Sequence, residues 1–180
     1  MRALQLPPAT LHTTRWKSLV KDKICQAASQ EWSAAVANAP RLHMAYTPPY
    51  TLQQQHYLSL KPFKGRQILT KLRCDDLPLA AASFNGYSPQ LCPLCNTTHE
   101  NRSHFLLDCN ALQQIRLKWK HNLSALNQTC NNPCQRLLCS VPLEDKEIIH
   151  TGAYLHELWH ERAKQLGPNH ENYKHSLFYT

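Results

Sequence analysis

Four residues near the middle of this 180-residue chain have the types and spacing of a metal-binding shell. Cys92-Pro93-Leu94-Cys95 is a C-x2-C knuckle, a tight turn from which two thiolates approach one ion. Eight residues then separate Cys95 from His104, and four separate His104 from Cys109. Three soft thiolates and one imidazole make a closed, tetrahedral, structural zinc site, with one Zn2+ per chain expected over residues 92–109. His99 competes as the imidazole ligand, but its loop back to Cys95 is cramped, and His104 is preferred. The segment around the knuckle has little apolar periodicity, so metal binding should supply local folding free energy there.

A second constellation, His156-Glu157-Leu158-Trp159-His160, matches H-E-x-x-H. On a helix its two histidines share a face, and such a pair can hold catalytic zinc with the glutamate as general base. A protease also needs a third ligand, and beyond His160 only His170, Glu171 and His175 are on offer, none at a familiar spacing. The motif is therefore read as coincidental and the chain as non-catalytic, with a metalloprotease kept as a distant alternative. Cys130, Cys134 and Cys139 leave a second metal site open. Cys25 and Cys74 read as packed helix residues.

The elements that must position these groups are mostly helical. Residues 1–10 read as a loose tail and 11–60 as a helical region with Trp16, Leu19, Val20 and Ile24 at helical spacing, plus a short helical piece over 52–60. Residues 61–126 hold a basic helix, the knuckle and a following amphipathic helix with Leu112, Ile115, Trp119, Leu123 and Leu126 on one stripe. Residues 127–142 form a connector, 143–167 the last helix, stopped by Gly167-Pro168, and 168–180 a tail. The expected fold is a small, mostly α domain with a zinc-knuckle loop in its middle. Only 4 Gly argue against hairpin-rich sheet and against a phosphate-cradling glycine loop.

Twenty Lys and Arg against 12 Asp and Glu give a formal charge of +8, which favours polyanionic partners. Arg66, Lys71, Arg73, Arg102, Arg116, Lys118 and Lys120 flank the knuckle and are the candidate phosphate contacts, to RNA or DNA, mainly through the backbone. No membrane-length apolar run is visible, and the N-terminus lacks a secretory signal. The expectation is an intracellular protein, nuclear or cytoplasmic, whose clustered thiols bind metal instead of forming disulfides.

The run Glu100-Asn101-Arg102-Ser103-His104-Phe105-Leu106-Leu107-Asp108-Cys109, behind Leu91-Cys92-Pro93-Leu94-Cys95, resembles the zinc-knuckle segment near the C-terminus of non-LTR retrotransposon reverse transcriptases. Those enzymes carry L-C-P-x-C, a short loop, then E-x-x-x-H-x-L-x-x-C. The 66–73 helix and Leu77-Pro78-Leu79 look like the pieces that precede the knuckle there. The resemblance covers most of residues 15–165, with the knuckle as its specific part. It implies a region that helps hold template RNA or target DNA. The family's polymerase, endonuclease and RNase H motifs are not visible, and Asp75-Asp76 reads as a helix-ending turn. The chain then looks like a C-terminal piece, either an active module or the relic of a truncated element. A zinc-stapled protein-interaction domain is the alternative.

Overall fold

The structure, a computed structural model, describes residues 13–46, 48, 55–61, 64–80, 91–127 and 131–167. Both expected tails, residues 51–54, Cys130 and the possible ligands His170, Glu171 and His175 lie outside these. The fold is mostly α, as expected. Its helices are α1 (Thr13–Ala37), α2 (Arg66–Cys74), α3 (Gln113–Trp119), α4 (Pro133–Leu137) and α5 (Asp145–Leu166), with short 3-10 turns at Pro40–Leu42, His56–Leu58, Asn110–Leu112 and Ser124–Leu126 between some of them. Among the described residues the only β pairing is one isolated antiparallel bridge, Leu91 to His99, inside the knuckle.

The organising element is α5. Ile148, Tyr154, Leu155, Leu158, Trp159 and Ala163 are buried and recur at helical spacing, so one long face of the helix lies in the core. Asp145 and Glu147 in its first turn complement the helix dipole. At its end Gly167 takes a positive φ of 73°. Helices α2 and α3 pack against α5, and Leu69, Leu72, Ile115 and, from the knuckle, Phe105 and Leu106 share one buried core cluster with its apolar face. Phe105 meets Trp159 edge-on, with ring centroids 6.1 Å apart.

Three expected elements differ in detail. The 112–126 stripe is not one helix. The chain leaves the helical path after Trp119 and re-forms a 3-10 turn at Ser124–Leu126, yet Leu112, Ile115 and Leu123 still reach the core. The 127–142 connector contains α4, which opens with Asn132 accepting from the Gln135 amide and Pro133 in its first turn. In the predicted 52–60 piece, the described residues form only a 3-10 turn, His56–Leu58.

Helix α1 is continuous, but Val36 is its only buried side chain among those described. Its end packs near the following turn, where Trp32 meets Tyr46 edge-on at 5.6 Å. Ile24, from the expected apolar stripe, is 63% exposed. Cys25 and Cys74 are exposed as well, contrary to their expected packing: Cys25 lies on this uncovered helix, and Cys74 is the last residue of α2.

Gly65 caps the start of α2 at φ 78°, and a Cβ there would sit 2.1 Å from the Gly152 carbonyl oxygen of α5. Backbone meets backbone at this crossing, so nothing flexible can yield. Gly65→Ala is expected to lower the unfolding free energy by more than about 2 kcal/mol in a urea titration, through strained φ and the clash together. A neutral result would mean that the two helices do not approach this closely.

Candidate metal centre

The knuckle is shaped by its own backbone before any ion is considered. The Cys92 amide donates to the Thr98 carbonyl at 2.7 Å, and the Asn96 amide returns to the Cys92 carbonyl at 2.8 Å. Asn96 adopts a left-handed φ of 54°, which an asparagine tolerates. Asn101 then starts the next helical segment, its side-chain oxygen accepting from the His104 amide at 2.8 Å. From His104 to Asp108 the backbone is π-helical, and the Cys109 amide closes the wider turn onto the His104 carbonyl at 2.8 Å. A π turn brings residues five apart to the same side, which gathers His104 and Cys109.

The outcome is a tight cluster. One donor atom from each of Cys92, Cys95, His104 and Cys109 lies within 4.8 Å of all the others, and this group could hold a metal ion. All three thiols are free. Cys92 Sγ and Cys109 Sγ are 3.8 Å apart, and Cys95 Sγ is 3.3 Å from His104 Nε2. A tetrahedral ion with sulfur at ~2.3 Å and nitrogen at ~2.0 Å has edges of about 3.8 Å and 3.5 Å, so the donors already stand near ligating separation.

The surroundings favour thiolate at one position and resist it at two. Burial works against ionisation of Cys95, but hydrogen bonds from the Thr97 hydroxyl and amide, with Cys92 and His104, outweigh it and bring the thiol down to about 6. Burial, then the charge of Cys92, pushes Cys109 up to about 12. Burial also raises Cys92, although the Leu94 and Cys95 amides donate to its sulfur. Ion binding must therefore displace protons from Cys92 and Cys109 at neutral pH, and affinity rises with pH.

Neighbouring groups hold the ligands in place. With Nε2 on the metal side, His104 Nδ1 carries the proton and donates to Thr98 Oγ1 at 2.8 Å. Glu100 is buried and accepts both Nε and Nη2 of buried Arg162 at 2.7 Å, as well as the Ala80 amide at 2.8 Å. Its carboxylate also lies 4.0 Å from Cys92 Sγ. This bidentate pair locks the knuckle to α5, and removing one partner of such a pair typically costs about 3–5 kcal/mol. Tyr154 donates from α5 to the Leu106 carbonyl at 2.7 Å.

The expected phosphate contacts divide sharply. Arg73 is 1% and Arg102 8% exposed. Arg73 donates to the Leu138 carbonyl and to Gln55 Oε1, and Arg102 to the carbonyls of Leu72 and Arg41 while pairing with Asp75 at 3.0 Å. Half-buried Arg66 donates to the Leu60 carbonyl and half-buried Arg116 to that of Cys109. These four guanidinium groups are internal staples, because helix ends and loops leave carbonyls that a multi-donor fork can satisfy. Lys71 is half-exposed, 4.0 Å from Asp76. Lys118 is exposed and pairs with Glu157 at 2.6 Å, while Lys120 is exposed at the end of α3.

Cys134 faces Ser103 Oγ at 3.7 Å, and Cys139 is half-buried. Among the described residues neither joins a group of three or more metal-binding side chains. Sequence reasoning missed Thr98, Thr97 and the Glu100–Arg162 pair. Only Asn101, an N-cap residue ahead of a helical run, carried a local signal.

No protein-family model matches the chain, no curated protein matches it, and no solved structure matches it. Among the described residues no helix is long and apolar enough to cross a membrane.

Thr98→Val keeps the side-chain shape and removes the oxygen that orients His104. Metal affinity should fall by about 10-fold or more in competition with a chromophoric chelator, with stoichiometry unchanged. An unaltered affinity would show that His104 is not a ligand through Nε2.

Proposed function

We propose that the chain is a non-catalytic, zinc-stapled nucleic-acid-binding module akin to the C-terminal knuckle region of non-LTR retrotransposon reverse transcriptases. The observation that carries this reading is the convergence of Cys92, Cys95, His104 and Cys109 donor atoms within 4.8 Å of one another, in an L-C-P-x-C and E-x-x-x-H-x-L-x-x-C context that resembles those enzymes. Three thiolates and an imidazole in a closed shell suit zinc best among the common ions, as a structural centre with no position left for substrate. Free thiols at such a site fit a reducing, intracellular compartment.

The polyanion would meet lysines more than arginines. With Arg66, Arg73, Arg102 and Arg116 bonded to backbone carbonyls, the exposed charge is carried by Arg15, Lys17, Lys21 and Lys23 on α1, by Arg41 after it, by Lys61 and Lys64 before α2, by Lys118 and Lys120 at the end of α3, and by Lys146 and Lys164 on α5. Lysines act as mobile point charges, so binding would follow the phosphate backbone and be tolerant of base sequence.

A second reading rests on a specific feature. Trp16, Val20 and Ile24 line an open groove of about 340 Å³ on α1, an apolar face that suits a protein partner.

Elemental mass spectrometry is expected to find one zinc per chain, and none in Cys95→Ser. Anisotropy with a labelled single-stranded RNA is expected to show affinity falling linearly on a log–log plot against salt. In Lys17→Glu/Lys21→Glu that slope should become shallower by about 0.7 for each phosphate no longer neutralised. Salt-independent binding, or none, together with intact zinc would contradict the nucleic-acid reading and favour the protein partner.

A further inference from the structure

The pattern His156-x3-His160 is not absorbed by the knuckle, and its geometry is specific. Both imidazoles lie on α5, one turn apart, with Nε2 to Nε2 3.1 Å and ring centroids 4.2 Å apart. An ion bound at 2.0–2.1 Å by two imidazoles with a cis angle between 90° and tetrahedral separates the nitrogens by about 2.9–3.4 Å. We propose that His156 and His160 form a second metal site, a bidentate Nε2 pair for a divalent transition ion of the nickel or copper kind, which imidazole pairs hold more tightly than zinc or nearly as tightly. The remaining coordination positions face solvent and are open to water or to a donor from a bound partner.

The pair is held for that task by its helix. Leu155, Leu158 and Trp159, interleaved with the histidines, are fully buried, so the rotation of α5 about its axis is set by the core. The histidines are left half-buried beside a cleft of about 380 Å³, lined also by Lys64, Trp119, Ala153 and Glu157. Burial, His160 and Lys64 together pull the His156 pKa down, which keeps its lone pair available at neutral pH.

The glutamate of the motif is committed elsewhere. Glu157 accepts from Lys118 Nζ at 2.6 Å and from Trp119 Nε1 at 2.8 Å. Burial acts against its ionisation, but those two hydrogen bonds hold its carboxyl below the ordinary value. A carboxylate tied to an ammonium and an indole is a poor general base, so the site binds an ion without activating water for hydrolysis. The charged groups facing the pair are Lys64 from the turn before α2, Glu157 on α5 and, through it, Lys118 on α3. Lys64 opposes a cation, and its removal should tighten binding.

The test is a calorimetric titration of Ni2+ into the zinc-loaded full chain. One equivalent of Ni2+ is expected in the wild type and in Glu157→Gln, with tighter binding in Lys64→Gln. It should be absent in His156→Ala and in His160→Ala, whose helicity is checked by circular dichroism. Alanine favours helix, so both variants should fold. It should also vanish as acid protonates the imidazoles, and persist in Cys95→Ser, which separates it from the knuckle. Equal nickel uptake by the wild type and the His156→Ala/His160→Ala double variant would overturn the proposal and leave the two rings as a hydrogen-bonded pair only.

Discussion

Three sulfur atoms and an imidazole nitrogen crowd within 4.8 Å of one another in the middle of this chain, in a segment that Arg162 and Tyr154 tie to α5. Neutral thiols can share such a space, but ionised ones are disfavoured there: burial first, and the charge of Cys92 second, push Cys109 up to about 12. A shared cation removes the conflict and turns it into a cross-link between the 92–95 turn and the 104–109 π turn. Amide donors on the sulfurs, and the Thr97 hydroxyl that lowers Cys95, are the preparation for it.

Apart from the 104–108 π turn and one β bridge, the knuckle has little secondary structure of its own to transmit that order, so arginines do it. Arg162 grips Glu100 from α5, Arg102 reaches the C-terminal carbonyl region of α2, and Arg116 holds the Cys109 carbonyl from α3. Arg73 extends the same device to the Leu138 carbonyl at the end of α4. Arg73, Arg102 and Arg162 each serve more than one acceptor that burial would otherwise leave unsatisfied, and Arg116 serves the Cys109 carbonyl. Charge used inside is not available at the surface, where lysines outnumber arginines among the exposed basic residues.

This division explains what is legible in the sequence. The metal ligands are legible because their geometry is local, four side chains within 18 residues whose types admit few other uses. Helix α5 is legible because its apolar period runs for the whole of its length. Asn132-Pro133, a cap followed by a first-turn proline, signals α4, although the Asn, Cys and Pro content around it reads as connector. The 112–126 stripe keeps its steps of three and four across a break after Trp119, since periodicity reports which side chains face inward and not whether the backbone between them stays helical. The arginines are illegible for a different reason. Arg73 finds its acceptor 65 residues away and Arg162 finds Glu100 62 residues away, and nothing in their neighbourhoods along the chain marks them as internal.

The proposed function depends on one ion being shared by Cys92, Cys95, His104 and Cys109, a group that could hold one. X-ray absorption at the zinc edge of the stoichiometrically loaded chain reads that donor shell without mutation. A shared ion requires three sulfur scatterers at about 2.3 Å and one imidazole nitrogen at about 2.0 Å. A shell of nitrogen and oxygen alone would place the ion elsewhere and contradict the shared site.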